Sequence, residues 1–140
     1  MMWTKTYSTM CRDISSKQMW KLFSNVNDWP TWDKNIDYTN MTGNFEKGNS
    51  FTLKPKGGFK VKVTLIEVVQ NKKFTDVTHF PLAKMYDEHK FEETSQGLKI
   101  TNTLSVERIL GFLWIKLVAE NIVKAWPQEI ANQILVARTL

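Results

Sequence analysis

Four prolines, six glycines, two histidines and one cysteine are spread over 140 residues, and each scarcity narrows what the chain can be. With Cys11 alone no internal disulfide can form, and a lone thiol outside any CxxC pattern carries no redox signature, which fits a reducing, intracellular setting. His79 and His89 fall on different segments with no thiolate beside them, so no metal site is expected. The glycines build no phosphate-binding loop, and no cofactor is expected either. The longest apolar run, Ile109 to Ile115, stops at Lys116, far short of a membrane span, and Met1 to Lys5 lacks the apolar stretch of a signal peptide. A cytoplasmic location is therefore the expectation. No Ser-rich, Pro-rich or repeated tract marks a linker, so residues 1–140 read as one domain.

What is present is a globular composition, 42% hydrophobic and 24% charged, which argues against disorder. The net charge of +5 permits attraction to anionic lipid, nucleic acid or acidic ligands without requiring any of them.

Local patterns order the chain. Residues 3–12 are rich in threonine and read as a strand. Ser15 followed by Gln18 has the form of a capping box, and Met19, Trp20, Leu22 and Phe23 supply an apolar face, which predicts a helix over 16–24. Trp29-Pro30-Thr31-Trp32 then reads as a short helix or turn that plugs one end of the core, with ligand gating as the alternative role of its indoles. Turn signals at short intervals separate strand-like runs at about 36–41, 50–54, 59–69, 74–80, 84–93 and 98–107, an antiparallel meander that makes seven strands with the first. Met85, Asp87, His89 and Phe91 share one face, as do Leu98, Ile100, Asn102, Leu104 and Val106, and these sets must point inward. Val61, Val63 and Leu65 share a face that Ile66 and Val68 leave, which predicts a bulge near Leu65.

The closing segment, 110–140, reads as one long helix interrupted only at Pro127, with roughly 28 helical residues spanning about 42 Å. Ile115, Val118, Ala119, Ile122 and Trp126 form its apolar stripe. Beyond Pro127 the pattern resumes with Ile130, Ala131, Ile134, Leu135 and Ala137. Proline lacks the amide that would bond the carbonyl of Val123, so the helix should bend or split there.

The expected fold is therefore α+β: a curved seven-stranded antiparallel sheet around a long C-terminal helix, with two short helices after the first strand. This order resembles the START-like, or SRPBCC, helix-grip superfamily, whose relatives include polyketide cyclase/dehydrase-like proteins and lipid-transfer domains. The features that carry the resemblance are Ile14 to Trp20, Trp29 to Trp32, Gly43 to Gly48, His89-Lys90-Phe91-Glu92 running into Gly97, and the closing helix. They specify fold rather than activity. The resemblance implies a cavity between sheet and helix that holds a small hydrophobic or amphipathic molecule.

The polar residues on the inward faces carry the chemical information. If the hairpins pair about Pro81-Leu82 and about Ser95, Asp87 neighbours Asp76 and His89 neighbours Asn102. Buried polar groups need partners. The four either bond one another within a stable core, or orient a ligand's hydroxyl or carbonyl, or serve acid/base chemistry through His89 as the one candidate catalytic residue. The expected cavity lining is Trp32, Phe74, Asp76, Met85, Asp87, His89, Phe91, Ile100, Asn102 and Leu104 from the sheet side, with Ile115, Ala119, Ile122 and Trp126 from the helix. Binding or transport of a hydrophobic ligand, lipid or polyketide-like, is the leading reading; a polyketide cyclase/dehydratase-like enzyme and a protein-interaction or membrane-surface module are the rivals. Lys54, Lys56, Lys60 and Lys62 crowd one hairpin and suit weak contact with an anionic membrane, or simply a solvated sheet edge. Without aromatics alternating among them, they do not indicate nucleic acid.

Overall fold

The computed structural model describes residues 2–108 and 115–140. Strand β1 (Met2–Cys11) is followed by helix α1 (Ser16–Ser24), a 3-10 turn (Val26–Asp28) and the short helix α2 (Trp29–Trp32). Strands β2 (Ile36–Met41), β3 (Ser50–Pro55), β4 (Val61–Val69), β5 (Lys73–Phe80), β6 (Ala83–Thr94) and β7 (Gly97–Arg108) come next. A π-helical turn (Ile115–Ala119) leads into helix α3 (Glu120–Ala137). Leu110 to Trp114, the expected opening of the long helix, lie outside the described residues.

All seven strands form one antiparallel sheet in the order β1-β7-β6-β5-β4-β3-β2. Each hairpin pairs sequence neighbours, and β1 closes the far side by pairing with β7 from Met2↔Glu107 to Cys11↔Leu98. The outer face of that last pair is polar: Thr4 meets Ser105, Thr6 meets Thr103 and Ser8 meets Thr101, hydroxyl to hydroxyl at 3.1 to 3.3 Å. The inner face carries Leu98, Ile100, Leu104 and Val106, all at most 1% exposed.

Helix α1 begins as the capping box predicts. The Ser15 hydroxyl accepts from the Gln18 amide at 3.2 Å, and the Gln18 side chain accepts from the Ser15 amide at 2.9 Å. Its buried residues, Met19, Trp20, Leu22 and Phe23, meet the sheet through aromatic contacts: Trp20 packs edge-on to Phe74 and Phe23 packs against both Phe74 and Phe91. Trp29 ties α2 back to α1 by donating from Nε1 to the carbonyl of Phe23 at 2.9 Å.

The predicted bulge is present in β4. Leu65 pairs with Asp76 but Glu67 pairs with Thr75, so Ile66 has no partner of its own across the pair; Leu65 is fully buried and Ile66 is exposed. A bulge strengthens local twist and bends the strand, which curves the sheet around the helices. At the β6–β7 turn, Gly97 adopts φ +125°, and a Cβ there would stand 2.5 Å from the carbonyl oxygen of Cys11, so the end of β1 passes where any side chain would be.

Of the two outcomes expected at Pro127, helix α3 does not take the split: it runs through the exposed proline without dividing, so the stripe keeps a single phase along its length. The buried positions are Ala119, Trp126, Ile130, Gln133 and Ala137. Ala131 and Leu135, read as part of the apolar stripe, face solvent, and Leu135 is 60% exposed. With about 100° of turn per residue, Leu135 lies roughly 140° around the axis from Ile130. A split helix would have allowed a fresh phase after the proline; a continuous one puts Gln133 inward instead.

Candidate functional site

The inward faces of β5, β6 and β7 bring the expected polar residues together. Asp76 pairs with Asp87, and His89 pairs with Asn102, as the hairpin registers require. His89 Nδ1 lies 3.1 Å from Asn102 Oδ1, and its Nε2 lies 3.3 Å from Asp87 Oδ1. The second contact is an ion-pair contact, and among the described residues His89 is the group that faces the buried Asp87 Oδ1. Asp76, His89 and Asn102 are all buried.

The ring of His89 belongs to an aromatic cluster. Its centroid is 4.6 Å from that of Phe74 and 5.0 Å from that of Phe23, and the two phenyl rings are 5.4 Å apart, so the three rings form a near-equilateral triangle. Phe91 stacks on Phe23 at 5.7 Å. A cation set against aromatic rings in a dry interior is attracted by their negative faces.

The electrostatics follow from these distances. Burial works against a charged imidazole, but the Asp87 carboxylate, the charge of Asp76 and the bond to Asn102 together raise the His89 pKa above its ordinary value. Burial, with the charge of Asp87 added, holds Asp76 well above the usual carboxylate range, opposed by His89. The imidazole and the buried carboxyl of Asp76 thus influence each other in opposite senses, His89 drawing Asp76 down and Asp76 drawing His89 up.

A second polar group lies where α3 faces the segment after α2. A cavity of about 290 Å³ is lined by Trp32, Asp33, Lys34, Asn35, Gln128, Glu129 and Asn132. Two bonds from one face of α3 span it: Asn35 donates to Glu129 Oε1 at 2.8 Å, and Asn132 donates to the carbonyl of Trp32. The backbone of Asn35 donates to Asp33 Oδ1 at 2.9 Å, which fixes the turn between α2 and β2. Burial raises the Asp33 carboxyl, and burial together with the charge of Asp33 raises that of Glu129. Glu129 also senses Asp87 and His89, so the cavity and the buried cluster share one electrostatic neighbourhood.

Of the residues expected at the site, Trp32 lines this cavity. Phe74, Met85, Phe91, Ile100 and Leu104 are buried in the core beside the polar cluster, as are Ala119 and Trp126 from the helix side, while Ile115 and Ile122 are partly buried against it. Asp33, Asn35, Glu129 and Asn132 were not anticipated. The signal available was the spacing of Glu129, Asn132 and Gln133, three polar residues three and four apart beside the buried Ile130.

The four crowded lysines do not act alike. Lys54 reaches Asp37 at 3.1 Å, whereas Lys56, Lys60 and Lys62 are exposed. None of the described helices is long and apolar enough to cross a membrane.

No family model matches the sequence, and no curated protein does. Solved structures do match in shape. Ara h 8.0201 superposes with a TM-score of 0.76 at 12% identity, covering all of both chains. A START superfamily protein from Mycobacterium smegmatis gives 0.65 at 15% identity, over 95% of this chain and 93% of that one. The di-domain ARO/CYC StfQ of the steffimycin biosynthetic pathway gives 0.74 at 10% identity, over 99% of this chain and 50% of that one. With its seven-stranded sheet, its two short helices after β1 and its long C-terminal helix, the chain has the helix-grip fold of the START-like, SRPBCC proteins.

Proposed function

We propose that the protein binds a small hydrophobic or amphipathic ligand between the sheet and α3, with the ligand's polar end at the Asp76, Asp87, His89, Asn102 group. The observation that carries this reading is a largely buried cluster of titratable groups set into an apolar wall, whose Asp87 and His89 also act on Glu129 at the rim of a surface cavity. Ligand pockets combine an apolar lining with a few placed polar groups in this way. The first half of α3 and the turn before it keep Ile115, Val118, Ile122 and Val123 only partly buried, which leaves apolar surface for a ligand's body. Native mass spectrometry of freshly purified protein, followed by solvent extraction, tests the reading. A bound small molecule released by the solvent is expected; repeated absence of one, with no uptake of a hydrophobic dye such as Nile red, would refute it.

Catalysis by His89, as in a polyketide cyclase/dehydratase-like enzyme, is the weaker reading. Its Nδ1 is engaged by Asn102, its Nε2 faces Asp87, and its ring is packed against two phenyl groups. A general acid or base needs an edge open to substrate. Loss of turnover in His89→Ala with an unchanged melting temperature would favour the enzyme; a lowered melting temperature favours the binding protein.

A surface role is favoured by one further observation. Phe59 is 56% exposed between the exposed Lys56 and Lys60, on the loop that joins β3 to β4. An aromatic flanked by lysines suits an anionic bilayer surface. Cosedimentation with vesicles of anionic and of neutral lipid at low salt tests it: charge-dependent pelleting is expected, and equal recovery in both supernatants rules it out.

A further inference from the structure

Among the described residues, left-handed backbone falls to glycine or asparagine with one exception. Gly43, Gly48, Gly57 and Gly97 have positive φ, Asn71 takes φ 63° in the turn between β4 and β5, and Leu82 takes φ 57° in the turn between β5 and β6. Phe80 pairs with Ala83, so Pro81 and Leu82 make a two-residue turn. Proline holds φ negative at the first turn position, and the positive φ of the second is one at which the Cβ of a leucine crowds the neighbouring carbonyl. Packing in the core does not explain the leucine, since it is 62% exposed. A large apolar side chain kept in water on unfavourable backbone points to a surface that covers it.

A second such side chain stands beside it. Val63 pairs with Thr78, which sets the loop before β4 next to the turn after β5. The ring of Phe59, on that loop, packs edge-on to Phe80 at 6.2 Å, and Phe59 is 56% exposed. Phe59 and Leu82 therefore place two exposed apolar groups at one end of the sheet. The two turns carry charge of one sign: neither Lys54 to Lys62 nor Val77 to Tyr86 contains an acidic residue. Of the neighbouring acids, Asp37 is paired with Lys54 at 3.1 Å, and Glu107 lies opposite Lys84 and accepts from the Tyr86 hydroxyl at 3.0 Å. Lys54 and Lys84 are thus offset, and the exposed Lys56 and Lys60 hold the positive charge on either side of Phe59.

We propose that this end of the sheet is a two-pronged anchor for an anionic bilayer, in which Phe59 and Leu82 enter the apolar layer below the head groups while Lys56 and Lys60 meet the anionic head groups. Attachment to a bilayer surface strengthens with the apolar area buried and with the attraction of lysines to anionic lipid, and this end of the molecule offers both together. The proposal rests on the surface reading drawn above from Phe59 and its lysines. It adds Leu82 as the second prong, and it sets the orientation of the molecule, with the β5–β6 turn against the membrane.

The test is binding of the full chain at low salt to vesicles of phosphatidylcholine with and without phosphatidylserine. Leu82→Asn puts at φ 57° a residue that accepts it, so the variant should melt at or above the wild type, while its affinity for the anionic vesicles falls about tenfold. An environment-sensitive fluorophore attached through Leu82→Cys, the native Cys11 being buried, should shift its emission to the blue on the anionic vesicles. Unchanged affinity in Leu82→Asn, or a fluorophore that stays in water, overturns the second prong and leaves the surface reading from Phe59 standing. A wild type that binds neither vesicle overturns that reading and the anchor with it. Wild-type dimers that Leu82→Asn separates, without vesicle binding, would overturn the anchor in favour of a second copy of the chain.

Discussion

The imidazole of His89 lies nearly parallel to the ring of Phe74, centroids 4.6 Å apart and planes 22° from each other, and the two residues are direct partners across β5 and β6. Phe74 is fully buried, so this contact fixes a titratable ring inside the core. The protonation of His89 is consequently part of the fold's stability, which the following expectations make measurable.

Stability should fall as pH rises. His89, Asp76, Asp33 and Glu129 all have pKa values raised in the folded protein, so the folded chain binds protons more tightly than the unfolded one. A raised group contributes stability fully below its unfolded pKa and loses it as pH climbs through the folded value. The carboxyl contributions should fade from about pH 4 upward, and that of His89 above about pH 6.5. Exposed Asp13, lowered by its bonds to Cys11 and Arg138, works the other way and only at the acid end. Thermal unfolding between about pH 5 and 9 should show a melting temperature that declines by several degrees; a melting temperature that climbs across the upper half of that range would contradict the assignment.

Asp76→Asn should be tolerated and should flatten that decline. The substitution keeps the shape of a protonated carboxyl while removing the group that burial and Asp87 hold above its ordinary range. At about pH 8 the variant is expected to melt at or above the wild type, and a large loss would mean that Asp76 is needed as an anion.

Gly97→Ala should cost about 2–4 kcal/mol, a large effect for one methyl group. The new Cβ would stand 2.5 Å from the Cys11 carbonyl oxygen at a backbone φ of +125°. Chemical denaturation would read this as a lower midpoint, and an unchanged midpoint would show that the end of β1 moves aside freely.

The phase of α3 is testable by contrast. Ile130→Ala should destabilise by about 2–4 kcal/mol because Ile130 is 1% exposed, whereas Leu135→Gln should stay within about 0.5 kcal/mol at 60% exposure. Equal costs at the two positions would mean that the stripe runs elsewhere.

Pro127→Ala should stabilise the helix by about 1–3 kcal/mol by restoring the amide that bonds the Val123 carbonyl, since Pro127 is exposed and lies inside α3. If stability rises while Nile red binding weakens, the proline shapes the ligand site at the expense of the helix.

Local chemistry made much of this legible in advance. Ser15 and Gln18 announce α1 because a capping box is a contact within four residues. The meeting of Asp76 with Asp87 and of His89 with Asn102 follows from two turns, because an antiparallel register is settled once its hairpin is placed. The bond from Asn132 to the Trp32 carbonyl joins residues a hundred positions apart, and no period or turn signals it. That is why the cavity at Asp33 and Glu129 escaped notice while the inner wall did not. Leu135 misled for a related reason: a proline in a helix leaves its continuation undetermined, and only packing against the sheet selects one phase.

The unpaired residue in β4 has a bearing on how this fold tolerates change. Up to Leu65 the odd-numbered residues of β4 look inward, yet Val68 packs against the core while Glu67, bonded to Lys73 at 3.2 Å, stays on the outside. Ile66 therefore works as a parity shift, one residue of offset between two halves of a strand that would otherwise disagree about which face is wet. Deleting it would keep Glu67 outside, Val68 inside and the pairs Leu65↔Asp76 and Glu67↔Thr75 in place, so that only the bend is lost, whereas deleting a residue that has a partner on β5 would turn one half of the strand over. A single-residue deletion should accordingly be tolerated at Ile66, as in the turns, and not at the paired positions on either side, a distinction in length that no substitution at Ile66 would reveal.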